Sequence, residues 1–284
     1  MILTDSTAAR VQGSTVTGII SVSSTFLQFM QYAALTVSRA ISGTIGLVKN
    51  GAAQLTLSGT CTYTGATQIN AGTLAVTGAS TLNGVISGSG SLTKTGTAVL
   101  TIGGNNTYSG GTSFVSGGLA GLIEYSSNNA FGTGLFTLSN AAGRIDTGGN
   151  VTLSNNFQLN TSLQYRTIGA NTITVTGNIA GTGNVSKTGN GILILSGTLT
   201  YTGQTIITTG SIQASKTTGS STATASFGTI ATLSVSFNVP PDAGTQTFRF
   251  FQGSTSRTYT AVTLVNAPGR TATYNSTNST LTVT

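Results

Sequence analysis

One unit occurs three times without a gap, at residues 41–74, 86–119 and 179–212, and this recurrence limits the chain to architectures built by repetition. Superposing the copies brings Ile41, Ile86 and Ile179 into one column and Gly43, Gly88 and Gly181 into another. Lys49, Lys94 and Lys187 follow, then Gly51, Gly96 and Gly189. Leu55, Leu100 and Leu193 come next, with Leu57, Ile102 and Leu195 two places on. Gly59, Gly104 and Gly197, a column of Tyr63, Tyr108 and Tyr201, and a closing Gly-x-Leu or Gly-x-Ile complete the unit.

Units of this size cannot bury an apolar face alone, so neighbours stack into one continuous core. The large apolar residues lie two apart, which is strand spacing, because successive side chains of a strand point to opposite faces. The runs are short and separated by Gly, Asn and Ser, which suit tight turns. Helical repeats are excluded by the density of Gly, Thr and Ser within the units. The expected fold is all-β, a parallel β-helix. The copies start at Ile41, Ile86 and Ile179, so a coil of about 22 residues would place them two and four coils apart, with eight or nine coils stacked at about 4.8 Å. Residues 120–178 would form degenerate or inserted coils, with strands at 135–138, 151–153 and 173–175. Aligned columns are expected to become vertical ladders, Leu and Ile inside and Thr, Ser and Asn outside.

Only 5% of the residues are charged, and the net charge of +7 comes from scattered positives. No dense basic patch or interleaved stacking aromatics suggest nucleic-acid binding. The recurring lysines precede glycine turns and are expected to be solvated. Cys61 shares its column with Asn106 and Leu199, which argues against a chemical role, and with no histidine in the chain the usual zinc ligand sets are missing. No cofactor, metal ligand or catalytic residue is assigned. Residues 1–40 read as an N-terminal cap or partner-contact segment. Phe26, Met30, Ala33, Ala34 and Val37 recur at helical spacing, so a short amphipathic helix is conceivable there, and the stretch is too short and broken to span a membrane. Residues 41–226 form the expected β-helix, and 227–284, with Pro240-Pro241 at a turn and an aromatic run from Phe248 to Phe251, a β-rich cap or small β domain.

The second copy reads GSGSLTKTGTAVLTIGGNNTYSGGTSFVSGGL from Gly88. It resembles the autotransporter-associated β-strand repeat, also called the passenger-associated transport repeat. The family pattern falls on Gly88, Gly90, Leu92, Lys94 and Gly96, then on Leu100, Ile102, Gly104, Asn106, Tyr108, Gly110, Thr112, Gly117 and Leu119. The first copy departs from it with Cys61 in place of the asparagine. The resemblance implies a right-handed β-helix on an outer surface, in large secreted bacterial proteins and in structural proteins of phages and large DNA viruses. A start at Met1 without an export signature, and an end at Thr284 without a membrane barrel, favour a virion component: a fibre, spike or capsid-surface protein. The expected partners are further copies of the chain in a homo-oligomer, other virion or surface proteins, and host glycans. The alternative is a bacterial adhesin or passenger fragment.

A polysaccharide-cleaving β-helix would need paired carboxylates on a lateral face. The acids are Asp5, Glu124, Asp146 and Asp242. The separation of Glu124 from Asp146 is about one expected coil, with Arg144 nearby, so the two could stack as neighbours. They lie in the least regular stretch, and a surface ion pair is the expected use of an acid beside an arginine. The chain is therefore read as non-enzymatic. The recurring tyrosines are expected to pack between coils with their hydroxyls outward rather than to bind sugar. The sequons at Asn105, Asn150, Asn160, Asn184, Asn275 and Asn278 indicate surface positions.

Overall fold

The computed structural model describes residues 9–11, 15–16, 25–30, 32–118 and 121–214, and beyond these the strands Thr224–Phe227, Leu233–Ser236, Gln246–Arg249, Val262–Val265, Ala272–Asn275 and Thr280–Val283. Leu119 and Pro240-Pro241 lie outside the described residues. Short strands with alternating burial dominate: Leu35 and Val37 are buried around an exposed Thr36, and Leu55 and Leu57 are buried around Thr56. Parallel pairing of these strands builds a β-solenoid of about nine turns. By contact, the chain divides into two compact units, Met1–Ile145 with Ser154–Asn156, and Asp146–Leu153 with Phe157–Thr284.

In the first unit each coil visits three sheets in turn. One sheet runs through Ala9–Val11, Phe26–Met30, Gly46–Asn50, Thr67–Ile69 and Ile86–Ser87. The second runs from Thr15–Val16 through Leu35–Val37, Leu55–Leu57, Thr73–Val76, Ser91–Gly96 and Thr112–Ser116 to Phe136–Asn140. The third holds Ser80–Leu82, Val99–Ile102 and Leu122–Tyr125. Leu27, Leu35, Leu47, Leu55, Leu74, Leu92 and Leu100 fill the interior, each stabilising by about 2 kcal/mol when fully buried. Tyr125, Phe131 and Phe136 add a run of tilted and edge-on rings with centroids 5.1 and 4.8 Å apart.

The second unit repeats the scheme. Val151–Leu153, Thr172–Val175, Ile192–Leu195 and Ser211–Ala214 form one parallel sheet. Leu163–Thr167, Val185–Thr188, Gln204–Ile207 and Thr224–Phe227 form another, and Phe157–Leu159 pairs with Ile179–Gly181. Further on, Leu233–Ser236 pairs parallel with Val262–Val265, while Thr280–Val283 is antiparallel to both Gln246–Arg249 and Ala272–Asn275.

Three details differ from the sequence-based picture. No helix forms at Phe26–Val37: Phe26–Met30 and Leu35–Val37 are strands in register with Gly46–Asn50 and Leu55–Leu57. Leu27 and Phe29 face inward at a spacing of two, and the stacked neighbour supplies hydrogen bonds that local helical spacing does not. A repeat coil is also shorter than the spacing of the copies suggests. Leu35, Leu55, Leu74, Leu92 and Thr112 lie opposite one another in turn, steps of 18 to 20.

The shorter coil overturns the expected ladders. The offset from Ile41 to Ile86 is then two coils plus about one side, so the second copy starts one sheet further round than the first. Leu55 stacks on Leu35 and Leu74, whereas Leu100 stacks on Ser80 and Ile123 in a different sheet. Both remain fully buried, because every side of the coil turns an apolar face inward. The corner glycines follow the same geometry. A Cβ on Gly84 would lie 2.1 Å from the Gly65 carbonyl oxygen, and one on Gly104 2.5 Å from that of Gly84. Gly104 thus stacks with Gly65, not with its aligned partner Gly59.

Candidate functional site

The three repeat lysines are fully buried, which corrects the expectation of solvated turns. Each follows an inward apolar residue by two positions: Leu47 and Lys49, Leu92 and Lys94, Val185 and Lys187. Strand alternation therefore sends the side chain into the coil. The glycine two places later has φ of 81°, 72° and 77° at Gly51, Gly96 and Gly189, a left-handed turn that brings backbone carbonyls towards the ammonium. Lys49 Nζ donates to the carbonyl oxygens of Gly51 at 2.7 Å, Ala71 at 3.0 Å and Asn50 at 3.2 Å. Lys94 Nζ donates to Thr95 O at 2.5 Å and Gly96 O at 3.2 Å. Lys187 Nζ donates to Thr188 O at 2.5 Å, Gly189 O at 2.7 Å and Thr167 Oγ1 at 3.1 Å. The acceptors are carbonyls and one hydroxyl, with no carboxylate. Burial pushes Lys94 and Lys187 down to about 8, and Lys49 is lowered for the same reason.

The tyrosine column is a second internal device. Tyr63, Tyr108 and Tyr201 are buried, as expected for packing, but their hydroxyls point inward. Tyr63 Oη bonds Thr67 Oγ1 at 2.8 Å, Tyr108 Oη bonds Thr112 Oγ1 at 2.5 Å, and Tyr201 Oη bonds Thr205 Oγ1. Burial raises all three phenols above their ordinary value. The motif is Tyr-x-Gly-x-Thr, and its glycine lies against the previous coil: a Cβ on Gly65 would meet Ile45 O at 2.3 Å and one on Gly203 would meet Gly183 O at 2.2 Å. A buried phenol needs a partner, and the threonine four residues on supplies it. The pairing was legible as a fixed Tyr-to-Thr spacing in all three copies.

Asn106 occupies the column of Cys61 and Leu199 and is buried like them. Its Oδ1 accepts from Ile86 N at 2.7 Å and its Nδ2 donates to Ala130 O at 2.7 Å, so it bridges coils on both sides. Cys61 is free, and desolvation raises its thiol. A column tolerating these three residue types is a packing position.

The carboxylates are separately engaged. Glu124, on Leu122–Tyr125 of the first unit, accepts from Thr101 Oγ1 at 3.2 Å. Asp146, in the second unit, is buried and pairs with Arg166 Nη1 at 2.9 Å, the arginine side chain being 44% exposed. Asp5 and Asp242 lie outside the described residues, among which no group of three or more His, Cys, Asp or Glu could hold a metal. Among the described residues there is also no helix long and apolar enough to cross a membrane.

The outward face of the long sheet in the first unit is a ladder of Thr36, Thr56, Thr93, Ser113 and Thr137, interrupted by a buried Ala75 and uncharged throughout. Asn105, Asn150 and Asn160 are exposed and Asn184 is half-buried, while the side chains of Asn275 and Asn278 lie outside the described residues.

The Passenger-associated-transport-repeat family model matches residues 47–76, 92–120 and 185–214. The chain carries three passenger-associated transport repeats. Each match opens on the strand that bears the buried lysine and takes in the tyrosine-threonine pair, so the family pattern coincides with the two internal devices. The matches cover about a third of the chain. Comparison with curated proteins and with solved structures gives no match.

Proposed function

We propose that the protein is a non-enzymatic, stiff structural element displayed on a bacterial cell surface or secreted. The observation that carries this reading is the use of the most constant polar side chains of the repeat. Lys49, Lys94 and Lys187 and Tyr63, Tyr108 and Tyr201 are turned inward, the tyrosines and Lys94 bonded within their own coil and Lys49 and Lys187 also reaching Ala71 and Thr167 of a neighbouring coil, which leaves none of them for a ligand. The outward face of the long sheet in the first unit is left mainly to Thr and Ser. Passenger-type repeats support a surface or secreted placement. Parallel ladders resist bending, since each coil is hydrogen-bonded to its neighbours along whole strands.

Protease treatment of intact cells of the source organism, with the protein followed by peptide mass spectrometry, tests the placement. Recovery of repeat peptides from the cell surface or medium is expected. Confinement to the cytosol, or recovery from purified virus particles, would overturn it. Contact with further copies or with host glycans belongs to the same proposal, and mass measurement in solution and glycan-array binding test those partners directly.

A further inference from the structure

Backbone carbonyls at a coil corner turn out of the strand ladder and need a donor or a cation. At the Lys49 corner three of them converge: Asn50, Gly51 and Ala71 lie 3.2, 2.7 and 3.0 Å from Nζ, and Ala71 belongs to the next coil. At Lys187 two carbonyls and the Thr167 hydroxyl do the same. Clusters of neutral oxygens without a carboxylate are the chemistry of monovalent-cation sites, in which carbonyls replace a hydration shell. We propose that each Lys-x-Gly corner is a monovalent-cation site filled in cis by the lysine's own ammonium, and that it accepts free ammonium or potassium once the tethered charge is removed.

Three features favour a cation site over an ordinary packed lysine. The oxygens come from turn backbone that follows directly on paired strands: Lys49 pairs with Phe29 and Ile69, and Asn50 with Met30. The glycine that turns the carbonyls inward has positive φ at all three corners, a backbone conformation open to glycine whatever side chain stands two places before it. The arrangement also recurs in both units, at Lys49 and Lys94 in the first and Lys187 in the second. An ammonium offers three donors, which matches the three acceptors at Lys49 and at Lys187.

The test uses the full chain at pH 7. Wild type, Lys49→Ala and Lys187→Ala are melted at fixed ionic strength in ammonium, potassium, lithium and tetramethylammonium chloride. The alanine variants are expected to gain stability in ammonium and, to a smaller extent, potassium, by roughly 3 to 5 °C for each tenfold rise in ammonium above its dissociation constant. Wild type should not respond, and tetramethylammonium, too large for the cluster, should not help any of them. A variant unfolded in lithium that folds in ammonium supports the site. Variants that melt identically in all four salts, or that stay unfolded in all four, overturn it. Lys49→Met, which fills part of the space with an uncharged stem, should lose the ammonium response; an unchanged response in that variant would also count against the proposal.

Discussion

The coil that carries Lys94 and the coil that follows it solve one problem with different residues. In the repeat coil, Lys94 Nζ reaches the carbonyls of Thr95 and Gly96. In the next coil, where Ser116 lies opposite Gly96, the Ser116 hydroxyl takes up the role, 2.7 Å from Gly118 O and 2.8 Å from Ala142 O. Asn155, outside the matched repeats, serves a third corner with its Nδ2 placed 2.9 to 3.3 Å from the carbonyls of Phe131, Gly132 and Gly134. What is constant along the coil is the set of inward carbonyls; the repeat sequence records one way of satisfying them. The irregular stretch therefore reads as degenerate in sequence while keeping the same parallel pairing, with Thr112 still opposite Phe136 across a longer step than in the repeat coils.

The contrast between corners breaks most readily at the lysine. Lys94→Ala leaves carbonyls unpaired beside a cavity and should cost about 3 kcal/mol in denaturant unfolding. A loss below about 1 kcal/mol would mean that the lysine corner is no more demanding than the serine one. Next in size is a pH effect confined to the lysine corners. Burial lowers Lys94 and Lys187 to about 8 against an ordinary 10.5, so between these values the unfolded chain holds protons that the folded chain has shed. Stability should rise with pH across that window. The buried tyrosines act oppositely above their ordinary 10.0, where the unfolded chain ionises first, so stability should peak near pH 10 in unfolding midpoints taken from pH 7 to 11. A monotonic fall from pH 8 would contradict the lysine half of this account.

Ser116→Ala sharpens the same contrast. It should cost about 1 kcal/mol and leave the pH profile unchanged, because the group removed is neutral. Tyr108→Phe, which deletes the hydroxyl and keeps the ring, is expected to cost up to about 1 kcal/mol. Thr112 still donates to Phe131 O, 3.1 Å away, which limits the loss. Glu124→Gln should move thermal stability least, by under about 0.5 kcal/mol, since its partner Thr101 can hydrogen-bond an amide equally well.

Much of the architecture was legible from residue order. The spacing of Leu55 and Leu57, or of Leu193 and Leu195, gives strands, and ungapped repetition gives stacking. The orientation of Lys49 was legible too, through Leu47 two places before it, but a rule that charges face water hides it. The inward hydroxyl of Tyr108 needed the position of Thr112, four residues on, across a glycine turn whose path is set by contact with the preceding coil. The helix conceivable at Phe26–Val37 does not form: the inward residues are Leu27 and Phe29, two apart, and pairing with Gly46–Asn50 holds them as a strand.

Residue order alone determined that this chain coils into parallel strands with aliphatic residues inside, because a two-residue period and an ungapped repeat are local properties. Only the tertiary structure decided which residues stack on which. The interval from Ile41 to Ile86 that separates the first two copies is not a whole number of coils, so aligned residues such as Leu55 and Leu100 fall on different sheets. The fate of the lysines was decided there as well: an ammonium is stable in an apolar interior only where folded backbone gathers enough carbonyl oxygen around it.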